Sequence, residues 1–248
     1  MDWNSIVVID IETVSQYSTF EKMDQKWQQL WTAKTSRHWE AGEEASGYYK
    51  RRGGILSEFG KIICIGMGFF SADQQAFRVH AIYDKDEKVL LQRFISFVTE
   101  MKMKTICWAG HNIREFDLPF ICRRLLINSI PLPDWLDIRK TKPWDDTLLD
   151  TFQLWRFGDY KNFTSLQLLA TVLHVEGSKD DFDGSKVGDC YWSEEMKQAE
   201  DNLKIIANYC AGDVWTTANV LLRLHALPVM GKRHLTISIE TPGEIMLE

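Results

Sequence analysis

The sequence has no paired cysteines, no long apolar run and no surplus of positive charge. Its five cysteines, Cys64, Cys107, Cys122, Cys190 and Cys210, are an odd number at wide spacings. They form no CxxC pair, so no structural zinc is expected. Most lie in apolar stretches, where cysteine behaves as a small core residue, and a reducing, cytoplasmic setting is expected. No apolar run approaches the roughly 18 residues of a membrane span. The N-terminus shows no basic stretch followed by an apolar one, so no signal peptide is expected. Lys and Arg total 29 against 35 Asp and Glu, a net charge of −6. That balance argues against a sequence-independent nucleic-acid binder working through a broad basic face. It leaves room for an enzyme that grips phosphates through bound cations, because such a site is itself acidic. Internal repeats and interdomain linkers are absent too. One domain over 1–228 is expected, with a C-terminal tail at 229–248.

What is present reads as alternating strands and helices. Ile6 to Ile9 is a short buried strand, β-branched enough to favour extended geometry. A Trp-rich stretch at about 15–58 follows. Trp27, Leu30 and Trp31 there share a helical stripe, consistent with a helix packed on the domain or with a lid. Lys50-Arg51-Arg52-Gly53-Gly54 closes it as a basic loop, solvated or touching phosphate. Lys61 to Phe70 is a central strand and Gln75 to Tyr83 its hairpin partner. Glu87 to Lys102 is a helix with Val89, Leu90, Phe94, Phe97 and Val98 inward. Thr105 to Ala109 is a strand ended by Gly110. Arg114 to Leu126 is a helix with Phe116, Phe120, Ile121 and Leu125 inward; Pro119 falls in its tolerant first turns. The loop region 128–144 holds three of the prolines. Thr147 to Trp155 fits a strand or a helix. Thr164 caps a short helix, and Ser193 to Leu224 is a long helical segment opened by a capping pattern. Leu235 to Ile239 is a candidate extra strand.

Three acidic stations interrupt these apolar segments. Asp10 and Glu12 follow the first strand two apart, so they point to one face. Two like charges at the end of a buried strand repel and lose hydration. Either the pair frays into solvent, or a divalent cation compensates it. Asp117 lies within Phe116-Asp117-Leu118-Pro119-Phe120, where a helix dipole or a metal would stabilise it. Tyr209 and Asp213 are four apart on a helix and share a face.

The motifs Val8-Ile9-Asp10-Ile11-Glu12-Thr13, His111-Asn112-Ile113-Arg114-Glu115-Phe116-Asp117 and Tyr209-Cys210-Ala211-Gly212-Asp213, in that order, resemble the DEDD superfamily of 3′–5′ exonucleases. The tyrosine places the likeness in the DEDDy branch. The nearest pattern is the proofreading exonuclease domain of family B DNA polymerases, as found in stand-alone bacterial predicted exonucleases. The resemblance spans roughly residues 5 to 225 and covers neither the Trp-rich insertion well nor the tail. It implies an α/β, ribonuclease H-like fold: a five-stranded mixed sheet flanked by helices. It also implies a metal-dependent 3′–5′ exonuclease acting on the 3′ end of single-stranded nucleic acid, with DNA favoured over RNA.

Phosphodiester hydrolysis needs an activated water and a stabilised leaving oxygen, and two divalent metals can supply both. Mg²⁺ and Mn²⁺ take oxygen ligands, which suits carboxylates. By the resemblance, Asp10 bridges two ions, Glu12 and Asp213 hold the one that activates water, and Asp117 acts on the second. Tyr209 orients the water, its reference pKa of about 10 being too high for a general base at neutral pH. Asn112, Phe116 and the backbone around Ile11 and Thr13 match positions that contact the 3′-terminal nucleotide.

Other polar residues are weaker candidates. His111 reads as a structural turn histidine before a substrate contact. Asp145, Asp146 and Asp150 read as a solvated face before metal ligands, and Lys179, Asp183 and Lys186 as a solvated loop. Arg123-Arg124 fits an exposed helix face or a phosphate contact. Two alternatives to the exonuclease stand beside it. One is a catalytically inactive ribonuclease H-like nucleic-acid-binding or protein-binding module. The other is an unrelated carboxylate metalloenzyme such as a small-molecule phosphatase.

Overall fold

The computed structural model describes residues 2–71, 75–140, 147–177, 182, 184–193 and 199–240. Its centre is β1 (Ile6–Ser15), whose apolar residues are buried on both faces, as a strand sandwiched between helical layers must be. The Trp-rich segment then forms α1 (Gln25–Thr35) and α2 (Ala45–Arg52). Asp24 caps α1 by accepting the Trp27 N–H at 3.0 Å. Trp31 is fully buried, its ring edge-on to Tyr49 and to Phe59, both at 5.0 Å. Its indole N–H donates to the Ala45 carbonyl at 3.1 Å. Of the stripe, Trp31 thus centres a small core with Met23, Tyr48, Tyr49 and Phe59, while Trp27 and Leu30 are exposed. Lys50, Arg51 and Arg52 are not a loop; they form the last turn of α2, where cations suit the helix dipole.

β2 (Gly60–Phe70) and β3 (Phe77–Tyr83) are the expected antiparallel hairpin. α3 (Glu87–Glu100) buries Leu90, Leu91, Phe94 and Val98, while Val89, read as inward, is exposed. β4 (Cys107–Gly110) leads to α4 (Asp117–Ile127), three residues shorter at its start than the periodicity predicts. Residues 147–155 are both things the sequence allows. A short strand, β5 (Leu148–Asp150), passes directly into α5 (Thr151–Arg156), with Asp150 as the helix cap. α6 (Leu166–Val172) is capped by Ser165 rather than Thr164. α7 (Val187–Trp192) and α8 (Ala199–Leu224) follow, and then β6 (Leu235–Glu240). The expected capping pattern at 194–196 lies outside the described residues.

The sheet has six strands in the order β5-β4-β1-β2-β3-β6, so the expected five is corrected by one. Only β2 runs against its neighbours. The extra strand, β6, pairs in parallel with β3. It is held there by Glu240, which accepts from Arg93 Nη2 at 2.6 Å and lies 2.9 Å from His80 Nε2. α8 covers one face of the sheet, over Ile6, Val8 and Val14 of β1. α3 and α4 cover the other, over Val7, Ile9 and Ile11. Arg124, on α4, is neither an exposed face nor a phosphate contact. It is buried against Glu87, donating through Nε at 2.8 Å. Glu87 also accepts the Ile62 N–H at 2.7 Å. A buried ion pair of this kind ties α3, α4 and β2 together.

Candidate active site

The site forms where β1 outruns its neighbour. β4 pairs with β1 only over Ile6, Val7 and Val8 and ends at Gly110. Beyond that point β1 has β2 on one side and an open edge on the other. Two features let the chain turn away here. Gly110 approaches so closely that an added Cβ would fall 2.8 Å from the Ile9 carbonyl oxygen and 1.9 Å from Ile113 Cγ2. Asn112 takes φ 63, in the left-handed region that asparagine tolerates better than most residues. α4 then starts at Asp117, whose Oδ1 accepts the orphaned Ile11 N–H at 3.1 Å. An acid in the first turn of α4 also faces favourable helix-end dipoles.

Asp10 and Glu12 point to the α8 face, in line with Val8 and Val14. A bulge in β2 shifts the register between Glu12 and Thr13: Glu12 lies opposite Cys64 but Thr13 opposite Ile62. Bulges of this kind re-aim side chains at functional sites. Asp10 lies opposite Gly66, where a Cβ would come within 2.9 Å of Cys210 Sγ and of Val214 Cγ2. The missing side chain lets α8 approach the sheet at the level of the carboxylates. Cys210 Sγ thereby reaches Asp10 Oδ2 at 3.4 Å. One ligand atom from each of Asp10, Glu12 and Cys210 lies within 4.8 Å of the others. Tyr209, one residue back, acts on Asp213 on the next turn of α8, its hydroxyl favouring the carboxylate form.

Electrostatics shows that all four carboxylates share one environment. Burial raises Asp10 well above the usual carboxylate range, with Asp117 and Asp213 adding to it. Burial raises Glu12 likewise, with Asp10 and Asp213 adding. Asp117 is pushed up to about 7, mainly by burial and against the hydrogen bonds from its own N–H and that of Ile11. Asp213 rises to about 6 by burial, opposed by the Tyr209 hydroxyl. Tyr209 itself is driven upward by burial, Asp213 and Glu12, so it stays a neutral phenol. The charged groups that act most strongly on Asp10 and Glu12 are themselves acids. A cluster of hard oxygen donors with unbalanced charge fits divalent metal ions, and the fit rests on that donor set.

The nucleotide-contact candidates surround the same edge. Asn112 Oδ1 is buried with no hydrogen-bond partner among the described residues. Phe116 is half-buried and immediately precedes α4. Thr13 follows the bulge. The Ile11 N–H is already taken by Asp117, and its side chain is buried in the opposite layer.

Asp150 was read as part of a solvated face; the structure corrects this. It is 1% exposed and accepts the N–H groups of Asn112 at 2.8 Å, Arg114 at 3.1 Å and Phe152 at 3.0 Å. It both caps α5 and holds the turn that presents Asn112. The signal was an acid directly after Leu148-Leu149 and before a helix. Asp145, Asp146, Lys179 and Asp183 lie outside the described residues, and Lys186 is exposed in a 3-10 turn. His111 is structural: its Nε2 donates to the Thr164 carbonyl at 2.9 Å, and Nδ1 lies 2.9 Å from Thr151 Oγ1. Cys210 lies inside the third motif, where sequence reasoning gives it no role of its own. Its contact with Asp10 depends on Gly66, 144 positions away in sequence, and no local signal announces it.

A helix-flanked mixed sheet with an acidic cluster at the open end of its central strand defines a ribonuclease H-like fold of the exonuclease type. The family model for predicted 3′-5′ exonucleases related to the exonuclease domain of PolB matches residues 54–236, and the chain belongs to that family. The matched stretch contains Asp117, Tyr209 and Asp213; Asp10 and Glu12 precede it, and the fold brings them to the same place. The structure is similar to that of the family B DNA polymerase from the hyperthermophilic archaeon Pyrobaculum calidifontis, with TM-score 0.56 and 16% identity. The similarity covers 88% of this chain and 24% of the polymerase. No curated protein matches the chain.

Proposed function

We propose that the protein is a metal-dependent 3′–5′ exonuclease that removes nucleotides from the 3′ end of single-stranded nucleic acid, DNA ahead of RNA. The observation that carries this reading is the convergence of Asp10, Glu12, Asp117, Asp213 and Tyr209 beside the unpaired edge of β1, in a protein of the exonuclease family. Asp10, Glu12, Asp117 and Asp213 would hold two divalent ions, Mg²⁺ or Mn²⁺. Bound there, such ions lower the pKa of water and neutralise charge on the phosphate and the leaving oxygen. Water adds to the phosphorus, the bond to the penultimate 3′ oxygen breaks, and a nucleoside 5′-monophosphate departs from a new 3′-hydroxyl.

The chain's own side chains do the rest. The Tyr209 hydroxyl, kept protonated, orients the attacking water rather than deprotonating it. The Asn112 side-chain amide contacts the terminal nucleotide, as its place in the second motif implies. Phe116 offers a ring face to its base, a contact tolerant of sequence. The Thr13 peptide, rather than the occupied Ile11 N–H, approaches the sugar–phosphate. Asp150 positions Asn112 from behind.

The test is digestion of matched DNA and RNA oligonucleotides labelled at either end, with and without Mn²⁺. Metal-dependent shortening from the 3′ end, faster on DNA, is expected. Release of a 5′-terminal label as mononucleotide from the start of the reaction, or hydrolysis of phosphomonoesters alone, would overturn the reading.

A further inference from the structure

Between α5 and α6 the chain runs through 157–163, and this loop is built rather than slack. The Asp159 carboxylate accepts the Lys161 N–H at 2.9 Å and Asn162 Nδ2 at 3.2 Å. The Asp159 N–H donates to the Arg156 carbonyl at 2.7 Å. Phe157 sits at φ 44, ψ 33, a left-handed conformation that a bulky side chain rarely adopts. The result is an ordered segment that holds three large rings out of the fold. Phe157 is 89% exposed, Tyr160 75% and Phe163 67%. Single exposed apolar residues are ordinary, but a cluster on one ordered loop marks a binding surface.

The position of this cluster indicates the occupant. The Phe163 ring lies 4.9 Å from Phe152 and 6.4 Å from His111. His111 ties the end of the loop down through Thr164. The next residue after His111 is Asn112, one of the proposed contacts of the terminal nucleotide. Lys161 is exposed between Tyr160 and Phe163, and Arg156, 5.5 Å from the Tyr160 centroid, is held at the base of the loop by Glu115 at 3.2 Å. Exposed ring faces with a lysine among them, continuous with the proposed phosphodiester site, match the chemistry of single-stranded nucleic acid. We infer that Phe157, Tyr160 and Phe163 form a stacking platform for the bases of the single strand that leads away from the cleaved 3′ end. The inference rests on the nuclease reading above and adds a second contact region to it.

The test compares the parent with Phe157→Ala/Tyr160→Ala and, separately, with Phe163→Ala, which loses two ring contacts as well. Affinity for a fluorescein-labelled dT12 is measured by anisotropy in Ca²⁺, so that binding is read without turnover. Each ring lost should weaken binding roughly tenfold. KM is then measured on oligonucleotides of increasing length in Mn²⁺. The parent's KM should fall as the strand lengthens, and the double variant's should stay flat. Parent-like affinity and length dependence in both variants would overturn the platform while leaving the nuclease standing. Failure of the parent to cleave any oligonucleotide would remove the nuclease reading, and the anisotropy series would then judge the platform alone. A parent that binds no dT12, or a dimer that the double variant dissolves with affinity for dT12 unchanged, would overturn it in favour of a protein partner.

Discussion

Oδ1 of Asp117 accepts the N–H of Ile11 at 3.1 Å, joining the start of α4 to the unpaired edge of β1 across 106 positions of chain. The bond leaves the Asp117 carboxyl buried near Asp10, with its pKa pushed up to about 7, so that it carries its charge there above neutral pH. Asp117→Asn keeps an acceptor for Ile11 and removes the charge. The metal-free variant should therefore resist urea at pH 8 better than the parent, while Mn²⁺ affinity by calorimetry falls about tenfold or more. Unchanged affinity would take Asp117 out of the metal centre.

Asp10 lies within 4.8 Å of Glu12 and feels both Asp117 and Asp213, and its loss should stop the reaction. For Asp10→Ala we expect turnover of a labelled single strand in Mg²⁺ to drop about a thousandfold, the scale of several kcal/mol of lost charge stabilisation. The fold should survive, since the change removes a repelled, poorly hydrated charge. A variant as fast as the parent would end the carboxylate mechanism.

Stability should depend on pH in a definite direction. Asp117 and Asp213 have folded pKa values of about 7 and about 6, above the ordinary 3.8. Between pH 4 and 7 the folded chain holds protons that the unfolded chain has released. Stability is therefore full below pH 4 on this account, falls as pH rises through that window, and levels off above it, by on the order of a few kcal/mol. Urea midpoints of EDTA-treated protein should be higher at pH 5 than at pH 8. Mg²⁺ should raise the midpoint more at pH 8, because the ion competes with those protons.

Tyr209→Phe removes a hydroxyl and almost nothing else. Turnover should fall roughly ten- to a hundredfold, with Mn²⁺ affinity near that of the parent. The Asp213 carboxyl loses the donor that holds its pKa down, so its titration should move upward. Equal turnover would show that the phenol does not position water.

Arg124 tests the frame rather than the chemistry. Arg124→Ala leaves Glu87 buried with its charge uncompensated, and should cost about 3–5 kcal/mol in urea unfolding. Glu87→Gln/Arg124→Met should recover much of that loss. A cost below about 1 kcal/mol would show that water reaches Glu87.

Much of the architecture was legible because it is periodic. The apolar runs at β1 and β2, the stripe of α3 and the i, i+4 pair Tyr209 and Asp213 each follow from local spacing. What was misread depended on distant partners. Arg124 looked exposable until Glu87 arrived from another helix. Asp150 looked solvated because its acceptor role is filled by the N–H groups of Asn112 and Arg114, 38 and 36 positions away. Val89 and Leu91 exchanged places because both fit the stripe, and only the angle of α3 on the sheet separates them. Leu235 to Ile239 could be named as a candidate strand, but its place in the sheet beside β3 could not.

By itself, then, the sequence determined the kinds of element, the helical or extended face on which each acid lies, and, through three ordered motifs, the class of chemistry. Tertiary structure alone decided that β4 stops short and leaves the β1 edge open, that Gly66 lets α8 carry Cys210 to Asp10, and that Asp150 holds Asn112. Spacing along a chain encodes which way a side chain points relative to its neighbours. Where two strands end relative to one another, and what fills the gap, is settled only when the layers pack.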